Sequence, residues 1–150
     1  MPWFVRSVMA VLAGCFAAFF HIKAIESLGL LIYPRPDGLD PARPETIVAY
    51  LKVIPTGAML MVLLAWDLGT FAGSWLTARL AHEPKRNHGL VVGTLFLFAA
   101  WANLASLPHP TWFWAASLST IPLMSFLGAT VGSRKTRPLP VPAPVGGLDS

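Results

Sequence analysis

One apolar stretch of 25 residues, Pro55 to Arg79, restricts the fold more than any other part of this chain. As a helix rising about 1.5 Å per residue, it is long enough to cross the roughly 30 Å hydrocarbon core of a bilayer. Its middle carries a carboxyl group, Asp67. An ionised carboxylate at that depth costs at least about 2.5 kcal/mol and has to face protein or water instead of lipid. We therefore expect the neighbouring segments to supply a partner for Asp67.

The composition indicates a membrane protein with a single domain. Of the 150 residues, 55% are hydrophobic and only 12% are charged, which is too apolar for a soluble domain of this size. The formal net charge of +4 comes from basic residues clustered at the ends of apolar segments, so membrane topology explains it better than nucleic-acid binding. The single cysteine, Cys15, excludes an internal disulfide and any cysteine-based metal site.

The pattern predicts an all-α integral membrane protein with four transmembrane helices. The spans cover about residues 4–33, 55–80, 89–107 and 111–132, within one domain of residues 1–133. Prolines separate the spans because proline interrupts a helix: Pro34, Pro36, Pro84, Pro108 and Pro110.

Two further segments lie outside the spans. Residues 45–54 are expected to form about two amphipathic helical turns at the membrane interface. Residues 134–150 are rich in proline, and we expect an extended polyproline II tail there.

Lysines and arginines near the span ends predict the orientation. One side of the membrane carries the larger set: Arg6, Arg79, Lys85, Arg86, Arg134, Lys135 and Arg137. The other side carries Arg35, Arg43 and Lys52, together with several acidic residues. By the positive-inside rule the richer side faces the cytoplasm, so both termini and the tail are expected inside.

Polar residues within the spans form a predicted intramembrane cluster. Counted from the outer loop, His21 and Asp67 lie at one depth and Lys23 about 3 Å higher. We therefore predict that Asp67 pairs with His21 or Lys23, either to fix helix register or as a protonation site coupled to transport. Lys23 and Glu26 are three positions apart, a spacing that favours an ion pair within one helix. Asn103 is expected to hydrogen-bond to a neighbouring helix.

Glycines within and at the ends of the spans predict where the helices pack. Small residues four positions apart lie on one helical face and allow another backbone to approach closely. The predicted packing glycines are Gly57, Gly69, Gly73, Gly89, Gly93, Gly128 and Gly132.

No residue pattern indicates an enzyme. The chain has no Ser-His-acid order, glycine-rich phosphate loop or CxxC motif, and its histidines lack metal-ligand spacing. We predict no catalytic residue, no metal and no cofactor. Three tryptophans are expected to fill interhelical or lipid-facing space, with contact to a pigment or quinone as the alternative: Trp66, Trp75 and Trp101.

Three stretches, IESLGLLIYPRPDGLDP, IPTGAMLMVLLAWDLGTFAGS and NLASLPHPTWFW, resemble a family of small four-span bacterial inner-membrane proteins. The resemblance covers residues 5–132 and is carried by a YPxPxGLDP loop and an N-x4-PHPxWF turn. It implies four spans and a multi-pass location in the bacterial plasma membrane. It implies no activity.

These features predict a non-enzymatic accessory or structural subunit of a larger membrane complex, such as a respiratory or photosynthetic one. Its expected partners are the lipid bilayer and other membrane subunits or further copies of itself, and not nucleic acid. The alternative is a small oligomeric proton-coupled transporter in which Asp67 or Glu26 titrates. A glutamate in the first span also resembles small four-span multidrug exporters, although the long proline loop and the lysine beside Glu26 differ from them.

Overall fold

The computed structural model describes residues 2–37, 39–40 and 42–134, which form five helices and no strand. The helices are α1 (Trp3–Ile32), α2 (Pro44–Leu51), α3 (Thr56–Leu80), α4 (Lys85–Ser106) and α5 (Thr111–Ser133). All except the short α2 are long and apolar enough to cross a membrane. The prediction of four membrane-spanning helices is confirmed at this level.

Most helix ends lie within a residue or two of their predicted positions. There are two exceptions: α2 ends at Leu51, three residues before the predicted end, and α4 begins at Lys85, directly after Pro84, so that its first turn contains basic residues outside the apolar segment. In α5, Pro122 lies inside a helix that continues through it. Residues 135–150, and with them the predicted polyproline tail, Lys135 and Arg137, lie outside the described residues.

Helix α3 is the centre of the bundle. It contacts α1, α4 and α5, whereas within the described part of the chain α1 and α5 do not touch and α2 makes no close helix–helix contact. This position explains why α3 buries polar residues as well as small ones, including Asp67, Thr70, Ser74 and Thr77.

Helices α1 and α3 pack antiparallel along a seam of small residues. Residue numbers fall on one helix as they rise on the other, and a glycine takes part in each of the contacts that define the seam. The contacts join Gly14 to Gly73 and Thr77, Ile22 to Gly69, Gly29 to Met61, and Tyr33 to Gly57.

Helices α3 and α5 run parallel, with α4 antiparallel to both. The Ser74 hydroxyl donates to the Ser125 hydroxyl at 3.2 Å, and Gly128 lies against the backbone of Phe71. From α4, Gly89 packs on the Ser74 carbonyl and Gly93 on Ser125. The α4–α5 turn is held by His109, whose ring stacks on that of Phe113 at 5.2 Å between centroids.

Candidate functional site

Two charged side chains form an ion pair on α1. Lys23 Nζ donates to Glu26 Oε2 at 2.7 Å, and the ammonium group also lies 5.8 Å from the centroid of the Phe19 ring. The predicted ion pair within the first span is therefore confirmed. The side chain of Lys23 is 57% exposed and that of Glu26 is 28% exposed, so the pair lies at the surface of the bundle.

His21 is also exposed on α1. Its Nδ1 donates to the Ala17 carbonyl at 2.7 Å, which leaves Nε2 of the neutral imidazole as an acceptor. Nε2 has no hydrogen-bond partner among the described residues. Arg6 and Tyr33 mark the two ends of the α1–α3 seam, through contacts with Leu80 and Gly57, and His21 lies near the midpoint between them.

The predicted pairing of Asp67 with His21 or Lys23 is wrong. Between those two residues of α1 lies Ile22, which is buried and packs against Gly69 of α3. His21 and Lys23 therefore flank the seam and project away from it. Among the described residues, Asp67 forms no ion pair.

Asp67 instead faces α5. Its side chain is buried, with 8% of the residue exposed, and the hydroxyl of Thr120 lies against its carboxyl group. Thr120 also donates to the Ala116 carbonyl at 3.0 Å. Because a hydroxyl has one proton, Thr120 either keeps that bond or donates to the carboxyl. The second carboxyl oxygen, Oδ1, has no hydrogen-bond partner in the described part of the chain.

A small cavity of about 170 Å³ lies one helical turn from Asp67. It is lined in part by Trp66, Thr70 and Asn103. The Thr70 hydroxyl is fully buried and has no partner within the described residues. Asn103 is exposed and lines this cavity, and its predicted hydrogen bond to a neighbouring helix is not formed among the described residues.

A larger cavity of about 420 Å³ lies between α2, the C-terminal half of α1 and the N-terminal half of α3. Its polar lining comprises Lys23, Glu26, Ser27, Tyr33, Arg35 and Tyr50. Its apolar lining comprises Gly29, Leu30, Ile54, Ala58, Met61 and Val62. Sequence reasoning found the ion pair but missed the cavity, because the contribution of α2 depends on the path of the proline-rich loop.

The structure places all seven predicted packing glycines at helix contacts. At Gly73 an added Cβ would lie 2.6 Å from the Gly14 carbonyl oxygen, and at Gly89 it would lie 2.7 Å from that of Ser74. Gly14 was missed by the sequence analysis. The signal was present, since Ala10, Gly14 and Ala18 are small residues repeated every four positions.

Basic residues meet at the end of the bundle that holds the N-terminus. Arg6 Nε donates to the Leu80 carbonyl at 2.9 Å, and Arg79 Nη1 donates to the Arg134 carbonyl at 3.3 Å. The Arg86 guanidinium lies 5.6 Å from the centroid of the Phe126 ring. These contacts join the ends of α1, α3, α4 and α5 on the side that carries the larger set of positive charges.

Within the described residues, no group of three or more histidine, cysteine, aspartate or glutamate side chains is placed to hold a metal ion. A scan of protein-family models found no match to this chain, and neither the curated proteins nor the solved structures gave a match.

Proposed function

We propose that this chain is a non-enzymatic accessory subunit that docks on another membrane protein through the outward surface of α1. The supporting observation is His21, an exposed imidazole near the midpoint of a membrane-spanning helix. Acyl chains offer no hydrogen-bond donor to its Nε2, and polar groups at this depth normally face protein or water. A partner helix that donates to Nε2 would satisfy it.

The surface around His21 suits a helix partner. Phe16, Phe19 and Phe20 are all more than half exposed on α1. Large apolar side chains beside one polar group are the combination by which helices associate in lipid, through packing and interhelical hydrogen bonds. The partner is a membrane protein of a larger assembly, with a bioenergetic complex of the bacterial inner membrane as the proposed setting.

His21→Leu tests this docking. After gentle solubilisation, mass spectrometry should identify a membrane protein that co-purifies with the wild-type chain, and its yield should fall several-fold with His21→Leu. Phe98→Leu is the matched control, because Phe98 is an apolar side chain that is 68% exposed on α4, away from the α1 surface, and its exchange should leave the yield unchanged. Purification of the wild-type chain alone, as a monomer, would contradict the proposal.

A second candidate function is proton-coupled transport through an oligomer, and it is favoured by the cavity that reaches Glu26. Asp67 adds a buried carboxyl with one unpartnered oxygen. In this case liposomes containing the wild-type chain should conduct protons, and Glu26→Gln or Asp67→Asn should abolish the flux. Glu45→Gln changes a carboxylate on α2 outside the cavity lining and is the control. Absence of proton flux with the wild-type chain would reject this candidate.

A further inference from the structure

The larger cavity combines three features: opposite charges, hydroxyl groups and an apolar wall. Lys23 and Arg35 supply two cations, Glu26 supplies one carboxylate, and Tyr33 and Tyr50 supply phenol groups. Leu30, Met61 and Val62 are among the side chains of the wall. A volume of about 420 Å³ is within the usual range of roughly 300–1,000 Å³ for a small-molecule site. We propose that this cavity binds a glycerophospholipid whose headgroup carries a primary ammonium, that is, a phosphatidylethanolamine.

The depth of the charges suits a headgroup drawn to the protein from the interface. From Tyr33, at the outer end of α1, to Lys23 is about 15 Å of helix. Glu26 lies about 10 Å from that end, and the Lys23 chain extends toward it to form the ion pair. Charges at this level are too deep to be fully hydrated, so a zwitterionic headgroup in the cavity would lower the cost of keeping them there.

The carboxylate decides which headgroup fits. Glu26 Oε2 accepts from Lys23, whereas Oε1 has no hydrogen-bond partner among the described residues. A primary ammonium donates hydrogen bonds to Oε1, which a quaternary choline cannot do. An anionic headgroup would place further negative charge beside the carboxylate.

The cations provide the complementary half of the site. Arg35 forms no ion pair within the described part of the chain, and guanidinium groups bind phosphate with two parallel hydrogen bonds. Together with Lys23 it would hold the lipid phosphate while Glu26 holds the ammonium. The acyl chains would leave along Leu30, Met61 and Val62.

Lipid competition tests the assignment without any mutation. The wild-type protein is placed in nanodiscs of equal parts dioleoyl phosphatidylethanolamine, phosphatidylcholine and phosphatidylglycerol, and the lipids that remain bound are measured by native mass spectrometry. We expect phosphatidylethanolamine to be enriched about tenfold over phosphatidylcholine, the ratio typical of one charge-assisted hydrogen bond. Equal retention of the three lipids would overturn the proposal.

Variants then identify the residue responsible. Glu26→Gln should reduce the enrichment to near unity, and Glu45→Gln, which removes a carboxylate outside the cavity, should not change it. If phosphatidylglycerol were retained best and were lost only with Arg35→Gln or Lys23→Gln, the site would recognise phosphate alone and the ammonium assignment would be wrong. None of these outcomes depends on the docking of a partner at His21.

Discussion

Asp67 shows how one buried side chain can impose a requirement on a whole bundle. A carboxyl at this depth is stabilised by a neighbouring donor or by remaining neutral, because an unpaired charge in a low-dielectric interior is strongly unfavourable. The structure provides one neighbouring hydroxyl, that of Thr120, and leaves Oδ1 without a partner among the described residues. Among the described residues, Thr120 is therefore the side chain of α5 that supports the Asp67 carboxyl.

Replacement of Thr120 by valine should destabilise the bundle. The exchange preserves the shape of the side chain but removes the hydroxyl beside Asp67, so the free energy of unfolding should fall by about 1–3 kcal/mol. Unfolding in detergent, followed by circular dichroism, measures the loss. Ser119→Ala is the control, since Ser119 is exposed and donates only to the Ala115 carbonyl of its own helix. Equal effects of the two exchanges would show that Thr120 does not support Asp67.

At the scale of the helix, the seam between α1 and α3 depends on positions without a side chain. At Gly73 an added Cβ would meet two atoms of α1, the Gly14 carbonyl oxygen at 2.6 Å and the Ala18 Cβ at 2.7 Å. Both atoms belong to a packed helix and neither is the end of a flexible side chain. Contact of this kind forces the helices apart.

Gly73→Ala should therefore weaken the seam although it adds a single methyl group. Overpacking of this size costs about 1–3 kcal/mol, which thermal unfolding of the purified protein would detect as a lower midpoint. Gly29→Ala lies on the same seam and is the matched control. There the nearest atom is the Met61 Cβ at 3.4 Å, an ordinary contact, so little change is expected. A larger loss at Gly29 than at Gly73 would contradict this account of the seam.

The helices and the depth of their residues could be predicted from the sequence, but the faces of the helices could not. Counting from the loop between the first two spans predicted one depth for His21 and Asp67, and the observed register, with Ile22 beside Gly69, places them within about one helical turn of each other. The predicted direction of the Asp67 side chain, toward α1, was wrong because α3 is apolar around most of its circumference and contacts three helices, so its sequence does not indicate which face meets which neighbour. Small residues were the better guide, since the glycines and Ala18 mark the seam while polarity alone does not.

For the molecule as a whole, charge is distributed unevenly between the two ends. Arg6, Arg79 and Arg134 lie at one end of the bundle. There the Arg6 and Arg79 side chains donate hydrogen bonds to the backbone carbonyls of Leu80 and Arg134, which join α1 to α3 and α3 to the end of α5. If the positive-inside rule governs this chain, that end faces the cytoplasm. The α3–α4 loop would then lie inside and the proline-rich loop before α2 outside.

Labelling with a membrane-impermeable maleimide tests this orientation. In a Cys15→Ala background, His82→Cys in the α3–α4 loop should react only in inverted membranes, whereas Asp37→Cys should react in intact cells from which any outer barrier has been removed. Both positions are exposed in the structure. The opposite labelling pattern would place the N-terminal end of the bundle outside and would contradict the orientation predicted by the positive-inside rule.

The parallel pairing of α3 with α5 has a consequence for biosynthesis. Asp67 emerges from the ribosome well before Thr120, because the whole of α4 is translated between them. During that interval the carboxyl has entered, or waits to enter, the bilayer without the hydroxyl that later supports it. A membrane insertase or chaperone that shelters α3 until α5 arrives would shorten this exposure. Depletion of such a factor should therefore lower the yield of the folded wild-type chain more than that of the Asp67→Leu variant.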